Sequence, residues 1–379
     1  MPVKTLPKDW LSHNDIAIQG LFRCLETSTC GENQTKVVVL GYNAFLNEIE
    51  ESHEGGEVVW CKSTVRALGS LGYTYLYTQN NERTLQLYHI FRGLIKAIFI
   101  EEQETNACFN DPKCVMSSRN PSGIPVWKMF NFNWWTGAVG PLANNWTLNP
   151  EDYRLEGKGY APNKYLGYSI EPGCSMRPFI PHAERERRAY VLAKEMHYFG
   201  PKIRAWDPDF YDAAYEAVDI EFVSGVRGEP TTDFPHRLKN LGYMTPKRFY
   251  DQLSRSLVLV GVGFPLTSPT PYDALCLGVP FINPVMDWDV GDPLNRDKWS
   301  VQHGMLKHLE PPYVYHVFKG DRDGFVKAVK DAVAHPIDSY ILDRMTMQAV
   351  ERRLGNILSA DWETEALTFC RGRACEFDS

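Results

Sequence analysis

Apolar positions along the chain fall into two periods. Lys36–Gly41 reads KVVVLG, a β-branched run closed by glycine, the mark of a strand buried on both faces. Tyr42 to Gly56 is polar and reads as a long loop. GEVVWCKSTVRALGSLG then sets Val58, Cys61, Val65 and Leu68 at helical spacing, and Gly69 and Gly72 end the pattern. Tyr73–Thr78 and Ala97–Ile100 return to strand character. Strand, helix, strand is the grammar of a doubly wound parallel sheet. Cys108 to Pro162 is loop-rich and holds KMFNFNWWTG. Beyond it the grammar restarts. Strands are predicted at Tyr165–Ile170, Ala189–Ala193, Ile220–Val223, Leu257–Val260, Phe281–Ile282 and Tyr313–Phe318. Helices are predicted at Phe210–Ala217, Pro246–Arg255, Pro271–Leu277 and Asp323–Ala334, with a last one near Asp343–Leu358.

The pattern implies an α/β protein of two Rossmann-like domains facing each other across a cleft. Residues 1–160 form the first, 161–345 the second, and 346–379 a helix and tail expected to cross back to the first, with the junction near Ala161–Asn163. A chain of 379 residues exceeds one ordinary core, which supports two domains. Ligands of such sheets bind at the C-terminal ends of the strands.

Composition narrows the partners. The net charge is -7 and the pI about 5.8, which argues against nucleic acid, because neutralising phosphates needs a basic surface. No window reaches the roughly 18 apolar residues of a membrane span. MPVKTLPKDWLSHND has no apolar signal core, so the expectation is a cytosolic protein or a truncated form without an anchor. Nine cysteines show no zinc-type C-x-x-C pair. Cys24/Cys30, Cys108/Cys114 and Cys370/Cys375 are spaced for small disulfide loops, whereas Cys61 and Cys276 sit in apolar helical patterns and read as buried thiols. Sequons at Asn33 and Asn145 matter only in a secretory compartment. Aromatic residues make up 13%, which suits an enzyme of carbohydrate and an ordinary large core equally.

The densest turn chemistry is GVGFPLTSPTPYDALCLGVPFINP, Gly261–Pro284. Thr270 reads as the N-cap of a short helix, Pro271 as its first residue and Asp273 as the third-position acid of a capping box, with Gly278 as the stop. A helix start after a strand is an anion site, and Gly261 and Gly263 would let the backbone approach a diphosphate. The plainer reading is a capped helix behind a proline-shaped loop. Asp287-Trp-Asp289 has the D-x-D spacing of a metal site, but Asp207/Asp209 and Asp321/Asp323 share it. All three read as solvated acids, and no metal is expected.

One set of motifs resembles a known family. LKNLGYMTPKRFYDQLSRSLVLVGVGFPLTSPTPYDALCLGVPFINP is similar to a run of VKN-x-G-x-L, a helix, and LFVGLGFP-x-x-GPAPLEA-x-x-G-x-x-FLNP. SVQH (Ser300–His303), NWTLNP (Asn145–Pro150) and YLGYSIE (Tyr165–Glu171) continue it in order, over roughly Gly55 to Val329. These motifs resemble glycosyltransferase family 18. The resemblance implies a GT-B fold and a metal-independent, inverting transfer of GlcNAc from UDP-GlcNAc to a mannose hydroxyl of an N-glycan, with β-1,6 linkage. It also implies the Golgi lumen, and a glycan or glycoprotein acceptor as partner. Alternatives are another nucleotide sugar or acceptor on the same fold, a degenerate member that binds without turnover, or a metal-dependent transferase using Asp287 and Asp289.

An inverting transfer needs a base for the attacking hydroxyl and stabilisation of the departing UDP. GEVV (Gly56–Val59) matches the family's GELV, which makes Glu57 the catalytic base. An acid at a helix start also has a purely structural use, worth ~0.3–1 kcal/mol against the dipole. Neighbouring Glu50, Glu51 and Glu54 read as solvated. For the donor, Asp273 stands where the family's ribose-binding glutamate is, one methylene shorter. Thr267 stands where it has a second acid. Gly263, Phe264, Pro265 and Thr270 belong to the same motif. Lys194 resembles a lysine suited to the diphosphate, and Lys298 or Arg296 a lysine before SQH. Trp134, Trp135 and Trp146 are candidates for stacking on the acceptor sugar, against the plainer reading of core packing.

Overall fold

The computed structural model describes residues 9–50, 55–137, 142–157 and 162–370. Two compact units emerge. The first holds the chain up to Asp152, a return that ends at Ser169, and everything described from Asp343 on. The second holds a short excursion that starts at Tyr153, and Ile170–Leu342.

The first unit contains α1 (Trp10–Thr27), β1 (Val37–Gly41), α2 (Asn43–Ile49), α3 (Gly56–Ser70), β2 (Thr74–Tyr77), α4 (Asn81–Ile90), β3 (Ile95–Ile100), α5 (Glu102–Asn110), β4 (Met129–Phe132), β5 (Thr147–Asn149) and β6 (Lys164–Tyr165). Its six strands pair in parallel in the order β2-β1-β3-β4-β5-β6. Val37, Val38, Val39 and Leu40 are wholly buried, as expected of an inner strand with helices on both faces. β2 is the edge, and α1 covers it. Asn14 of α1 donates to the Tyr77 carbonyl and accepts from the Tyr77 N–H, both at 2.8 Å, as a neighbouring strand would. Asp9 caps α1 through the Ser12 N–H, and the Cys24–Cys30 disulfide closes the turn behind it.

The second unit contains α6 (Glu171–Cys174), β7 (Arg188–Leu192), α7 (Pro208–Val218), β8 (Glu221–Ser224), β9 (Leu238–Asn240), α8 (Pro246–Ser254), β10 (Val258–Gly261), α9 (Thr270–Cys276), β11 (Phe281–Asp287), β12 (Ser300–Val301), β13 (Val314–Phe318) and α10 (Arg322–Ala334). The parallel order is β9-β8-β7-β10-β11, with β13 on β11 and the short β12 antiparallel to the end of β11. Val191, Phe222, Val258, Val260, Trp206 and Phe325 centre the core between sheet and helices. The chain then returns to the first unit as α11 (Met347–Ser359), which packs on α3, and α12 (Trp362–Cys370). No described helix is long and apolar enough to cross a membrane.

The fold is therefore α/β of the two-Rossmann, GT-B class. Several local expectations change. The stretch after Tyr42 is not all loop: α2 buries Ala44 and Phe45, but its Tyr42 N-cap makes no side-chain bond, so no start signal marks it. The loop-rich span holds β4 and β5, only four and three residues long. The strand expected at Tyr165–Ile170 is reduced to Lys164–Tyr165, which pairs with β5 and so places residues up to Ser169 with the first unit. Cys276 is not a free thiol; it pairs with Cys174. Cys108–Cys114 forms as the spacing suggests, and Cys61 is a buried free thiol. The Cys370/Cys375 pairing and Ala161 lie outside what the structure describes.

Candidate functional site

Strand order determines where each sheet opens to a ligand. In the first, the chain moves from β1 to β2 on one side and from β3 onward on the other, so its switch point lies at the ends of β1 and β3. There stand Tyr42, directly after β1, and Glu101, directly after β3. Glu57 is the second residue of α3 and exposed. Its charge is felt at this same edge: burial raises the Tyr42 hydroxyl and the Cys61 thiol, and Glu57 and Glu101 push both further. Glu101 is half-buried, accepts from the Asn43 amide at 2.9 Å, and is itself raised by burial and then by Glu104. A loop after a strand end is the place to look for Glu101; the apolar strand pattern gave no reason to single it out. Glu50 is exposed at the end of α2, and Glu51 and Glu54 lie outside the described residues.

The tryptophans separate. Trp134 is half-buried between Trp60, edge-on at 6.4 Å, and Tyr168, stacked at 6.2 Å. Its ring lies against Gly56, where a Cβ would stand 2.6 Å from its Cη2. Trp134 thus braces the turn that presents Glu57. Asn149 holds this loop by donating to the carbonyls of Asn133 and Trp135 at 2.6 and 2.8 Å. Trp135 is exposed and free to meet a sugar face. Trp146 is buried against Trp362 and Phe369, so it has no open face for an acceptor and is a packing residue.

The second sheet switches between β7 and β10. The exposed Lys194 follows β7, and Gly263, Phe264 and Pro265 follow β10, so these candidates share one edge. Buried Gln302 shapes the loop. Its Oε1 accepts from the Gly263 N–H at 2.9 Å, its Nε2 donates to the Pro265 carbonyl at 3.2 Å, and its carbonyl accepts from Thr267 N–H. Gly263 has φ +109°, and a Cβ there would stand 2.8 Å from Met286 Cε and 2.9 Å from the Ile203 carbonyl. Beside Gly261, Pro284 Cδ would lie at 2.6 Å. Both glycines are required by packing of the loop on its own unit.

The helix start also differs from expectation. Pro269 is the N-cap of α9, Thr270 the first residue and Pro271 the second; no side chain caps it. Thr270 N–H faces the Ser268 hydroxyl, and Tyr272 and Asp273 N–H bond to the Pro269 carbonyl. Those first-turn donors are used internally, which removes the helix start as the main anion site. Asp273, at the fourth position, turns away from the helix start. Its Oδ1 accepts from the Tyr250 hydroxyl at 2.9 Å, and burial raises the carboxyl to about 7, against the lowering action of that bond and of Arg177. Phe264 is about one-third exposed, tilted on Tyr198 at 6.0 Å. Thr267 is buried at φ +51°, with the family's acid absent. Lys298 lies on the turn before β12 and forms an ion pair with Asp289; Arg296 pairs with Glu310. Both cations lie ahead of β12, the strand that leads into Gln302. Among the described residues no three His, Cys, Asp or Glu converge as metal ligands.

Comparison with known proteins bears on this arrangement. The model described as "Glycosyltransferase family 18" matches residues 141–373. The "Alpha-1,6-mannosylglycoprotein 6-beta-N-acetylglucosaminyltransferase A" of Cricetulus griseus is 23% identical over 239 residues, 60% of this chain and 30% of that one. The B enzyme of Mus musculus is 21% identical over 219 residues, 55% of this chain and 27% of that one. The chain thus matches under a third of the length of these relatives. Among solved structures, a Methanocaldococcus jannaschii UDP-GlcNAc 2-epimerase in complex with UDP-GlcNAc and UDP shares 8% identity, covers 86% of this chain and 99% of that one, and has a TM-score of 0.45, too loose a likeness to build on.

Proposed function

The chain belongs to glycosyltransferase family 18, and from that premise we propose that it is an inverting, metal-independent N-acetylglucosaminyltransferase. It moves GlcNAc from UDP-GlcNAc to a mannose hydroxyl of an N-glycan, with a β-1,6 linkage. The observation that carries the reading is positional. Glu57, which matches the family's catalytic glutamate, acts at the switch-point edge of the first sheet, and the donor motif with Lys194 occupies the switch-point edge of the second.

In this scheme Glu57 takes the proton of the acceptor hydroxyl as that oxygen attacks the anomeric carbon. The bond from that carbon to the diphosphate oxygen breaks on the opposite face, so the configuration inverts and UDP departs. Lys194 meets the charge that develops on the diphosphate, and Asp273 accepts from the ribose. Trp135 offers a ring face to the acceptor. The relatives' printed name supports this acceptor class. Three disulfides fit an oxidising compartment such as the Golgi lumen.

The test is transfer from UDP-GlcNAc to a released N-glycan mixture, with and without EDTA, read by mass and linkage analysis. A β-1,6 GlcNAc product that persists in EDTA and vanishes in Glu57→Gln supports the proposal; loss of transfer in EDTA, or full activity of the variant, refutes the corresponding part. The buried Thr267 favours a second reading, a different nucleotide sugar, and a panel of UDP and GDP sugars in the same assay decides between them.

A further inference from the structure

The Cys174–Cys276 disulfide joins positions 102 residues apart, and it ends the helix that carries the buried Asp273 carboxylate. Cys276 ends α9, the helix that carries Asp273; Cys174 ends the single turn of α6. Three residues on, Arg177 donates to the Gly173 carbonyl and lays its guanidinium over the Tyr250 ring at 3.9 Å. Tyr250 in turn donates to Asp273 at 2.9 Å. In the segment bearing Arg177, Met176 is 74% exposed, while the Phe179 ring lies under the Arg185 guanidinium at 5.4 Å. Just past Cys276, at the same end of α9, Arg185 donates to the carbonyls of Leu277 and Gly278 at 2.8 and 2.7 Å.

We propose that the Cys174–Cys276 disulfide, with Arg177 and Tyr250, is a positioning device that holds the Asp273 carboxylate in place for the nucleotide of the donor. The proposal rests on the reading of Asp273 as a ribose contact. None of these four residues need touch the donor. The cross-link fixes α6 against α9, the fixed turn places Arg177, and Arg177 keeps the Tyr250 ring where its hydroxyl reaches Asp273. Tyr250 and Arg177 are the ionisable groups acting on that carboxyl. A disulfide that merely staples the fold would change melting but leave the nucleotide affinity of the folded protein alone.

The test uses UDP binding by calorimetry and the split between KM for UDP-GlcNAc and kcat. The Cys174→Ser/Cys276→Ser protein, with a cooperative melt, is expected to bind UDP about tenfold more weakly, with kcat at saturating donor within about threefold of wild type. Tyr250→Phe, with the cross-link intact, is expected to weaken UDP and to move the inflection of UDP affinity against pH upward, because the lost hydrogen bond had lowered the carboxyl. UDP affinity within about twofold of wild type in the serine protein overturns the proposal. If the serine protein does not fold, Arg177→Ala decides: weaker UDP binding supports the device, and unchanged binding overturns it. Asp273→Asn separates the premise, since normal UDP binding by that protein refutes the ribose reading itself and the proposal with it.

Discussion

Gly56→Ala is the sharpest probe of how the first unit aims Glu57. The added Cβ would stand 2.6 Å from Trp134 Cη2 and 3.1 and 3.2 Å from Cζ2 and Cζ3, where carbon contacts settle at about 3.5–4.0 Å. The indole has little room to withdraw. It is backed by Tyr168 and by Trp60, which is itself wholly buried and stacked on Phe132 at 4.2 Å. Overpacking of this kind costs about 1–3 kcal/mol. Alanine recovers up to ~1 kcal/mol over glycine in a helix, less at its first position. The net is a loss of about 1–2 kcal/mol, or roughly 2–8 °C in the melting of a unit this size. The larger effect is on rate, since a shift of about 1 Å in Glu57 lowers turnover by up to ~100-fold. Thermal melts, kcat for transfer and UDP affinity are measured together. The expected result is a lower Tm, a large loss of kcat and an unchanged UDP affinity. Trp134→Phe in the same protein, by shortening the ring, is expected to restore part of kcat. A Gly56→Ala protein with raised Tm and normal kcat would show that Trp134 yields freely and does not brace Glu57.

Further outcomes follow from the same geometry. Glu57→Gln is expected to lower kcat by about 10²–10⁴-fold with UDP binding intact, while Glu101→Gln changes kcat by less than about threefold; the reverse pattern in a steady-state assay would make Glu101 the base. Asp273 has its pKa raised from 3.8 to about 7, so the unfolded chain ionises first and the stability it contributes is lost as pH rises from about 4 through 7. Asp273→Asn is therefore expected to flatten a fall on the order of 4 kcal/mol in ligand-free denaturant titrations over that window. His316, lowered from 6.5 to about 4 chiefly by burial, acts in the opposite sense: the unfolded chain binds a proton below 6.5 and the folded one does not until about 4, so stability falls as pH drops across that interval. His316→Gln is expected to remove that slope, and an unchanged acid limb of the stability–pH curve would refute the assignment.

What could be read from the chain was whatever the chain states locally. β1, β7 and β10 are short runs rich in apolar residues, and α3 has an apolar stripe with glycines at its end. Elements stabilised by distant partners were not readable. β5 is three residues long and exists because β4 and β6 flank it. α1 carries its start signal at Asp9, yet the reason for its place, Asn14 on the edge of β2, is 63 residues away. The same holds for the site. Glu57 could be singled out because it is marked by the residues beside it. Gln302, Tyr250 and Arg177 could not, because each acts on a loop or carboxylate 23 or more residues distant.

The glycines of the donor loop show how a correct motif can carry the wrong reason. Gly261 and Gly263 were expected to clear room for a diphosphate, yet the space beside both is filled by Pro284, Met286 and the Ile203 carbonyl, and the Gly263 N–H already serves Gln302. The motif's requirement is thus for a loop drawn tightly onto its own sheet. A tight loop has a consequence for function: with Gly263 and Pro265 fixed by the buried Gln302 side chain and Thr267 by the Gln302 backbone carbonyl, the side chains left to project are Phe264, beside Tyr198 and at the end of β10, and Leu266. The switch point of the second sheet thus presents an aromatic surface and the exposed Lys194. On the proposed reading, a nucleotide held there would depend on stacking and a point charge, both of which accept small changes in the sugar. On that reading, discrimination among donors falls largely to Asp273, whose carboxylate is held by the Tyr250 hydroxyl at 2.9 Å, and the geometry of that carboxylate is what a donor panel would probe.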